Sequence, residues 1–291
     1  MNPFRAALAT LFILLLSVPA VARDAVPRSL VTPEGGPPEV VALWKAANAA
    51  ERERRFLDAA TAREQILAIE PEQVHVLWRT ARDLMRTVEP LVKDEPERAI
   101  ALLRKARGFA QRGRQLDPDC AECCFYDFAA VAREAATAGL MSSLGLVREM
   151  KPILDECLAN PPSWRDSDWH SERASLYYGA AQFFRVTPDS AVVSWVIGFR
   201  GDAARAVEMA RRADAAAPGR IDLRAELATS LLCQAGRDDA PELATEARRV
   251  VAGLDSLESH LPTDAADAKR ARWLLDHPDE ACSAGRNINL E

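Results

Sequence analysis

Residues 201–213 read GDAARAVEMARRA, and Pro218 follows five residues later. The alanines recur at intervals of three and four, which is the spacing of one face of an α-helix. Small residues on one face let a neighbouring helix approach closely, and a proline ends a helix because its ring clashes with the preceding turn. The stretch therefore predicts a helix that packs closely on a partner helix and ends before Pro218.

The same pattern recurs over residues 39–275, where alanine- or leucine-rich stretches each end at a proline. The helix-ending prolines are Pro71, Pro118, Pro161, Pro162 and Pro218. They divide this region into five helix pairs, and the spacing resembles the tetratricopeptide repeat of about 34 residues. Such pairs stack because no pair can bury its apolar face alone, and the concave side of the stack is normally a binding surface. We therefore predict an all-α superhelix of helical hairpins.

The first residues have the pattern of a Sec signal peptide. A short positive start precedes the apolar run 6–18, and the small residues Ala20 and Ala22 form a cleavage site. The apolar run is too short to span a bilayer of about 30 Å. We expect residues 1–22 to be removed after Ala22, leaving a periplasmic or secreted protein without a stable membrane anchor.

Three further parts of the chain follow. Residues 23–38 are rich in proline and glycine, so we expect a flexible leader without helix. The repeat domain covers residues 39–275, and its last helix, 265–275, is predicted to cap the array. Residues 276–291 are the C-terminal tail. Two segments depart from the repeat pattern: an insertion at the turn of residues 89–96, and residues 183–200, which are too apolar for an ordinary surface loop.

Three stretches in the middle of the chain resemble a known family. They are CAECCFY at 120–126, AGLMSSLGLVR at 138–148 and PILDECL at 152–158. Together with DAKRARWLL at 267–275 they are similar to the T component associated with some bacterial TRAP transporters. The resemblance covers about residues 71–275.

The resemblance implies a periplasmic helical-repeat protein, in some cases a lipoprotein and in some cases a trimer. Such a protein docks the transporter's solute-binding protein and can pass an apolar ligand through an internal channel. This chain departs from the family because no lipid-acceptor cysteine follows its apolar run.

The cysteines indicate disulfides. The chain has six: Cys120, Cys123, Cys124, Cys157, Cys233 and Cys282. An exported protein with six cysteines can form up to three disulfides. We expect Cys157 to pair with one of the three cysteines at 120, 123 and 124, and Cys233 to pair with Cys282 and pin the tail.

Cys120 and Cys123 also form a C-x-x-C motif at a predicted helix start, where the helix dipole would lower a thiol pKa. Thioredoxin-like chemistry needs a preceding strand, which the sequence does not predict, so we interpret these cysteines as structural. The spacing fits neither a haem attachment motif nor a zinc site.

The sequence contains no catalytic motif, and we expect neither enzyme activity nor a metal or cofactor. His75, His170, His260 and His277 lack the spacing of a metal-binding helix, and we expect them in surface or capping positions. The formal net charge is −6, which disfavours nucleic acid as a partner.

Aromatic residues beyond the needs of the repeat concentrate in the third and fourth units. We expect four of them to line a groove or tunnel for a partner or ligand: Tyr126, Tyr178, Phe184 and Trp195. The expected function is a non-enzymatic adaptor that docks a partner protein, such as a TRAP solute-binding subunit. The alternatives are a thiol-disulfide redox protein or chaperone that uses Cys120 and Cys123, and a carrier of an apolar small molecule.

Overall fold

The computed structural model describes residues 27–167 and 169–284, without the side chains of residues 29, 140–144 and 193. The predicted signal peptide and the last seven residues of the tail lie outside this part of the chain. The described helices are α1 (Pro38–Arg52), α2 (Phe56–Ile69), α3 (Val74–Val88), α4 (Pro96–Leu116), α5 (Ala121–Ala138), α6 (Leu140–Ala159), α7 (Glu172–Val186), α8 (Ala191–Ile197), α9 (Ala203–Ala216), α10 (Ile221–Asp238), α11 (Pro241–Ala252) and α12 (Asp264–Asp276).

The helices pack in chain order, each against the next, from α1 through α6. The short α8 interrupts this order, so α7 packs mainly against α9, which continues to α10 and α11. The final helix, α12, packs on α10. No strand occurs in the described residues, where a single β-bridge joins Arg165 and Ser171. The predicted all-α fold of stacked helical hairpins is confirmed.

Helix α9 forms as its sequence predicts. The Asp202 side chain caps its start by accepting a hydrogen bond from the Arg205 backbone N–H at 2.9 Å. The alanine face is buried at residues 203, 206, 210 and 213. Gly201 is required because a Cβ at this position would lie 1.8 Å from the Thr187 carbonyl oxygen. The helix ends at Ala216, before Pro218.

The described part of the predicted leader, residues 27–37, contains local structure, while residues 23–26 lie outside the described residues. Residues Arg28–Leu30 and Pro33–Gly35 form short 3₁₀ helices. Pro33 is buried, and Arg28 donates to the Leu116 carbonyl at 3.1 Å. Prolines exclude an α-helix here but fit the first positions of such turns.

All six cysteines form disulfides: Cys120 with Cys123, Cys124 with Cys157, and Cys233 with Cys282. The expected pairing of Cys233 with Cys282 is confirmed, and the partner of Cys157 is Cys124. Beyond α12 the tail packs on the repeats, since Arg185 donates to the carbonyls of Ala281 (2.7 Å) and Ala284 (2.8 Å).

The two atypical segments have distinct structures. Between α3 and α4 the chain makes a 3₁₀ turn at Glu89–Leu91, and α4 itself is 21 residues long, so the extra length of this unit is shared between turn and helix. The apolar segment 183–200 contains the end of α7 and all of α8. Among the described residues, no helix has both the length and the apolarity needed to cross a membrane.

Candidate functional site

A cavity of about 790 Å³ lies where α1, α3, α5 and α7 face the loop before α12. Its apolar walls are formed by Phe56, Met85, Phe125, Trp169, Leu261 and Pro262. Its charged lining comprises six arginines and four carboxylates: Arg52, Arg54, Arg79, Arg82, Arg86, Arg133, Glu51, Glu89, Asp166 and Glu172. The cavity therefore combines apolar walls with an excess of two positive charges, in a protein whose formal net charge is −6.

Glu51, in the last turn of α1, is the centre of the cavity floor. Its carboxylate accepts from four guanidinium groups, those of Arg63 (2.8 Å), Arg79 (2.7 Å), Arg82 and Arg86 (3.1 Å). Three of these arginines follow one another at intervals of three and four on α3, so they share one helix face. Helix α3 thus presents a row of cations to Glu51 of α1.

Two further carboxylates complete the floor. Asp166, in the loop before α7, accepts from Arg82 at 2.7 Å and from the Trp164 indole N–H at 2.7 Å. Glu172, at the start of α7, accepts from the Tyr126 hydroxyl at 2.6 Å. Charge-assisted hydrogen bonds of this kind fix both partners in position. Five helices, α1, α2, α3, α5 and α7, are therefore joined by one polar network.

Behind the floor, a layer of aromatic rings holds the arginines. The Arg79 guanidinium lies 5.3–5.6 Å from the ring centres of Trp44, Trp78 and Trp164, within the range of cation–π attraction. Below this layer Arg63 pairs with Asp83, and both side chains are fully buried. These arginines are therefore held both by aromatic rings and by ion pairs.

The network shifts the pKa values of its members. Burial raises the pKa of Glu51, but the guanidinium groups of Arg82, Arg79, Arg63 and Arg86 outweigh it and hold that pKa at about 2. Burial also raises the pKa of Asp166, but the nearby Arg82 guanidinium outweighs this effect and lowers it. Burial and the neighbouring Glu172 raise the pKa of Tyr126 well above its usual value. At neutral pH Glu51 and Asp166 are therefore charged and Tyr126 is neutral.

Acidification is expected to destabilise the fold. Since the folded pKa of Glu51 lies near 2, below its ordinary 4.5, its contribution is complete above pH 4.5 and is lost as pH falls through about 2. The shift corresponds to about 3 kcal/mol. Urea unfolding at pH 5 and at pH 2.5 should show a loss of this size or larger, because Asp166 acts in the same direction. An unchanged free energy of unfolding would contradict the network.

His170, Asp166 and Glu172 bring potential metal-ligand atoms within 4.8 Å of one another. Their surroundings oppose a cation, however. Arg82 is bonded to Asp166, and an Arg86 nitrogen lies 3.4 Å from His170 Nε2. Burial lowers the pKa of His170. We therefore interpret this cluster as part of the arginine network.

The four aromatic residues expected to line a groove are not brought together. Tyr126 lines the cavity. Tyr178 is half-buried, and its hydroxyl accepts from the Gln182 amide at 2.8 Å. Phe184 is buried with the Arg205 guanidinium 4.4 Å from its ring centre. Trp195 is 86 % exposed on α8. These residues lie on helix faces that are buried to different extents. Their enrichment in the sequence does not tell which helix faces turn inward.

Two histidines also depart from expectation. His75 is fully buried against Trp44, Trp78 and Trp164, with ring centres 4.9–5.4 Å apart. His170 lines the cavity. The expected surface or capping role is therefore wrong for His75, which three tryptophan rings enclose, and His170 lies half-buried at the cavity instead.

The C-x-x-C disulfide lies in the core and away from the cavity lining. Both cysteines are buried, and a Cβ added at Gly113 would lie 2.5 Å from Cys123 Sγ. Cys120 also caps α5, where its sulfur accepts from the Cys123 backbone N–H. Thiol exchange requires access of an attacking thiolate to sulfur, so this placement favours the structural interpretation.

The fold and the cavity define an all-α helical-repeat protein with a charged, aromatic-backed concave site. No protein-family model matches the chain, and no curated protein matches it significantly in sequence.

Proposed function

We propose that this chain is a non-enzymatic binding protein that holds an apolar small molecule in the cavity between α1, α3, α5 and α7. The observation that carries this proposal is the cavity itself, about 790 Å³ in volume with six apolar wall residues. Ligand sites are typically concave and largely apolar, with a few polar groups that fix orientation. Volumes of 300–1,000 Å³ are usual for such sites.

The polar groups of the cavity suit positioning better than catalysis. Glu51 and Asp166 accept hydrogen bonds from arginines, and Glu172 accepts one from the Tyr126 hydroxyl, so each carboxylate is already engaged within the protein. The Ser175 hydroxyl donates to the Ser171 carbonyl at 3.2 Å and is not activated by a base. These contacts support a binding role without turnover.

Two other expected properties, docking of a partner protein and export from the cytoplasm, remain proposals. Docking of a transporter's solute-binding protein rests on the resemblance to the TRAP T component. Export from the cytoplasm is supported by the three disulfides, which persist in oxidising compartments. Small-molecule binding in the cavity is compatible with both.

The proposal predicts binding of N-phenyl-1-naphthylamine, a neutral apolar dye that fluoresces when it leaves water. The purified protein should bind this dye with a dissociation constant on the order of micromolar. Ser175→Trp places a large ring at the cavity lining and is expected to weaken binding at least tenfold. Fluorescence titration measures both values.

The matched control is Ser256→Trp, at an exposed serine that does not line the cavity. This variant should bind the dye like the unmodified protein. Absence of dye binding by the folded protein, or equal binding by the two tryptophan variants, would contradict the proposed site.

A further inference from the structure

Two of the six cavity arginines have no acidic partner among the described residues. Three others are paired with the floor carboxylates, and Arg133 is paired with Glu89. Arg52 and Arg54, at the end of α1, make neither an ion pair nor a side-chain hydrogen bond within this part of the chain. They are exposed while lining the cavity, so they lie where it opens to solvent and account for its positive excess.

The backbone at Arg54 is strained. Its φ is +59°, in the left-handed region that glycine favours. The turn is a helix C-cap in which Arg54 N–H donates to the Glu51 carbonyl (2.9 Å) and Arg55 N–H to the Ala50 carbonyl (2.8 Å). Glycine is the usual residue at this position of such a cap. A strained arginine where glycine would fit indicates that its side chain serves a function.

The neighbouring Arg55 shows the contrast. It has an ordinary negative φ, pairs with Glu53 and Asp58, and does not line the cavity. Only the two arginines that line the cavity are left without a carboxylate in this turn. The turn therefore sets two free guanidinium groups beside the apolar wall residue Phe56, which begins α2.

We propose that Arg52 and Arg54 are an anion-recognition pair, which binds a carboxylate or sulfonate carried by the apolar ligand. This inference rests on the proposed function, because the pair would hold the charged end of a molecule whose apolar body fills the cavity. Guanidinium groups present paired N–H donors that fit the oxygens of a carboxylate or of a sulfonate. Arg79, Arg82 and Arg86 could bind such a group only by breaking their ion pairs with Glu51 and Asp166.

The test compares two dyes with one skeleton. 8-Anilinonaphthalene-1-sulfonate carries a sulfonate that N-phenyl-1-naphthylamine lacks. The double variant Arg52→Gln, Arg54→Gln should bind the sulfonate about tenfold more weakly and the neutral dye within twofold of the unmodified protein. The matched control, Arg55→Gln with Arg98→Gln, removes the same charge at exposed arginines outside the cavity lining and should keep both affinities.

Arg54→Gly separates a binding role from a structural one. It should weaken sulfonate binding while raising the melting temperature by about 2 °C, because glycine relieves the strain. Arg54→Gln keeps the strain and should not raise it. Equal sulfonate affinity in the unmodified protein and the double variant would overturn the anion pair, whereas failure of the neutral dye to bind the unmodified protein would overturn the proposed function instead.

Discussion

Glu51→Gln is expected to lower the free energy of unfolding by about 3–5 kcal/mol. The substitution keeps the shape of the side chain but removes the one carboxylate shared by Arg63, Arg79, Arg82 and Arg86. Their guanidinium groups, three of them largely buried, would then repel one another without the carboxylate between them. Urea unfolding at pH 7, followed by far-ultraviolet circular dichroism, measures the loss.

Glu53→Gln is the matched control, two residues along the same turn. Its carboxylate is exposed and pairs only with Arg55 among the described residues, and exposed pairs contribute about 0–1 kcal/mol. If the two variants unfold at the same urea concentration, Glu51 does not hold the network together.

A second substitution tests whether the loss at Glu51 arises from repulsion. Arg86 is the most exposed of the four arginines, at 27 % for its side chain. Glu51→Gln combined with Arg86→Gln should therefore recover part of the stability lost by Glu51→Gln alone, because coupled neighbours are not additive. If the stability losses of the two substitutions simply add, repulsion among the guanidinium groups is not the cause of the loss at Glu51.

The fold could be read from the sequence because its determinants are local. The alanine spacing at 203, 206, 210 and 213 defines a helix face, Asp202 caps the helix, and Pro218 lies just beyond its end. Each of these acts within one helical turn or at its boundary. The sequence near Pro33 does not predict that this proline-rich segment packs against the repeats, because its contacts are with residues far away along the chain, such as Leu116.

The cavity could be predicted only in part. The spacing of Arg79, Arg82 and Arg86 does reveal a basic helix face in the sequence. Their acids, Glu51 and Asp166, lie far away along the chain, and a helical pattern tells which residues share a face without telling which faces meet. Trp195 and Phe184 show the same limit, since one is exposed and the other buried.

Removing the Cys233–Cys282 disulfide by alanine substitution at both positions is expected to cost about 4 kcal/mol. The bridge closes a loop across a sequence separation of 49, and the entropy that such a loop removes from the unfolded chain is worth about that much. The bridge also holds the tail over Arg185, a buried residue that donates to the carbonyls of Ala281 and Ala284. Urea unfolding of the oxidised protein measures the difference.

The matched control is the Cys120–Cys123 bridge, also replaced by alanines. It spans a sequence separation of only 3, so the same loop-entropy argument gives about 2 kcal/mol. The variant without the Cys233–Cys282 bridge should therefore unfold at a lower urea concentration than the variant without the Cys120–Cys123 bridge. It should also expose residues 278–284 to protease, because the bridge no longer ties this segment to the repeats. Release of the tail would also uncover the buried ion pair of Arg185 with Glu226. Equal stability of the two variants, with a protected tail, would show that the hydrogen bonds of Arg185 hold this segment without the disulfide.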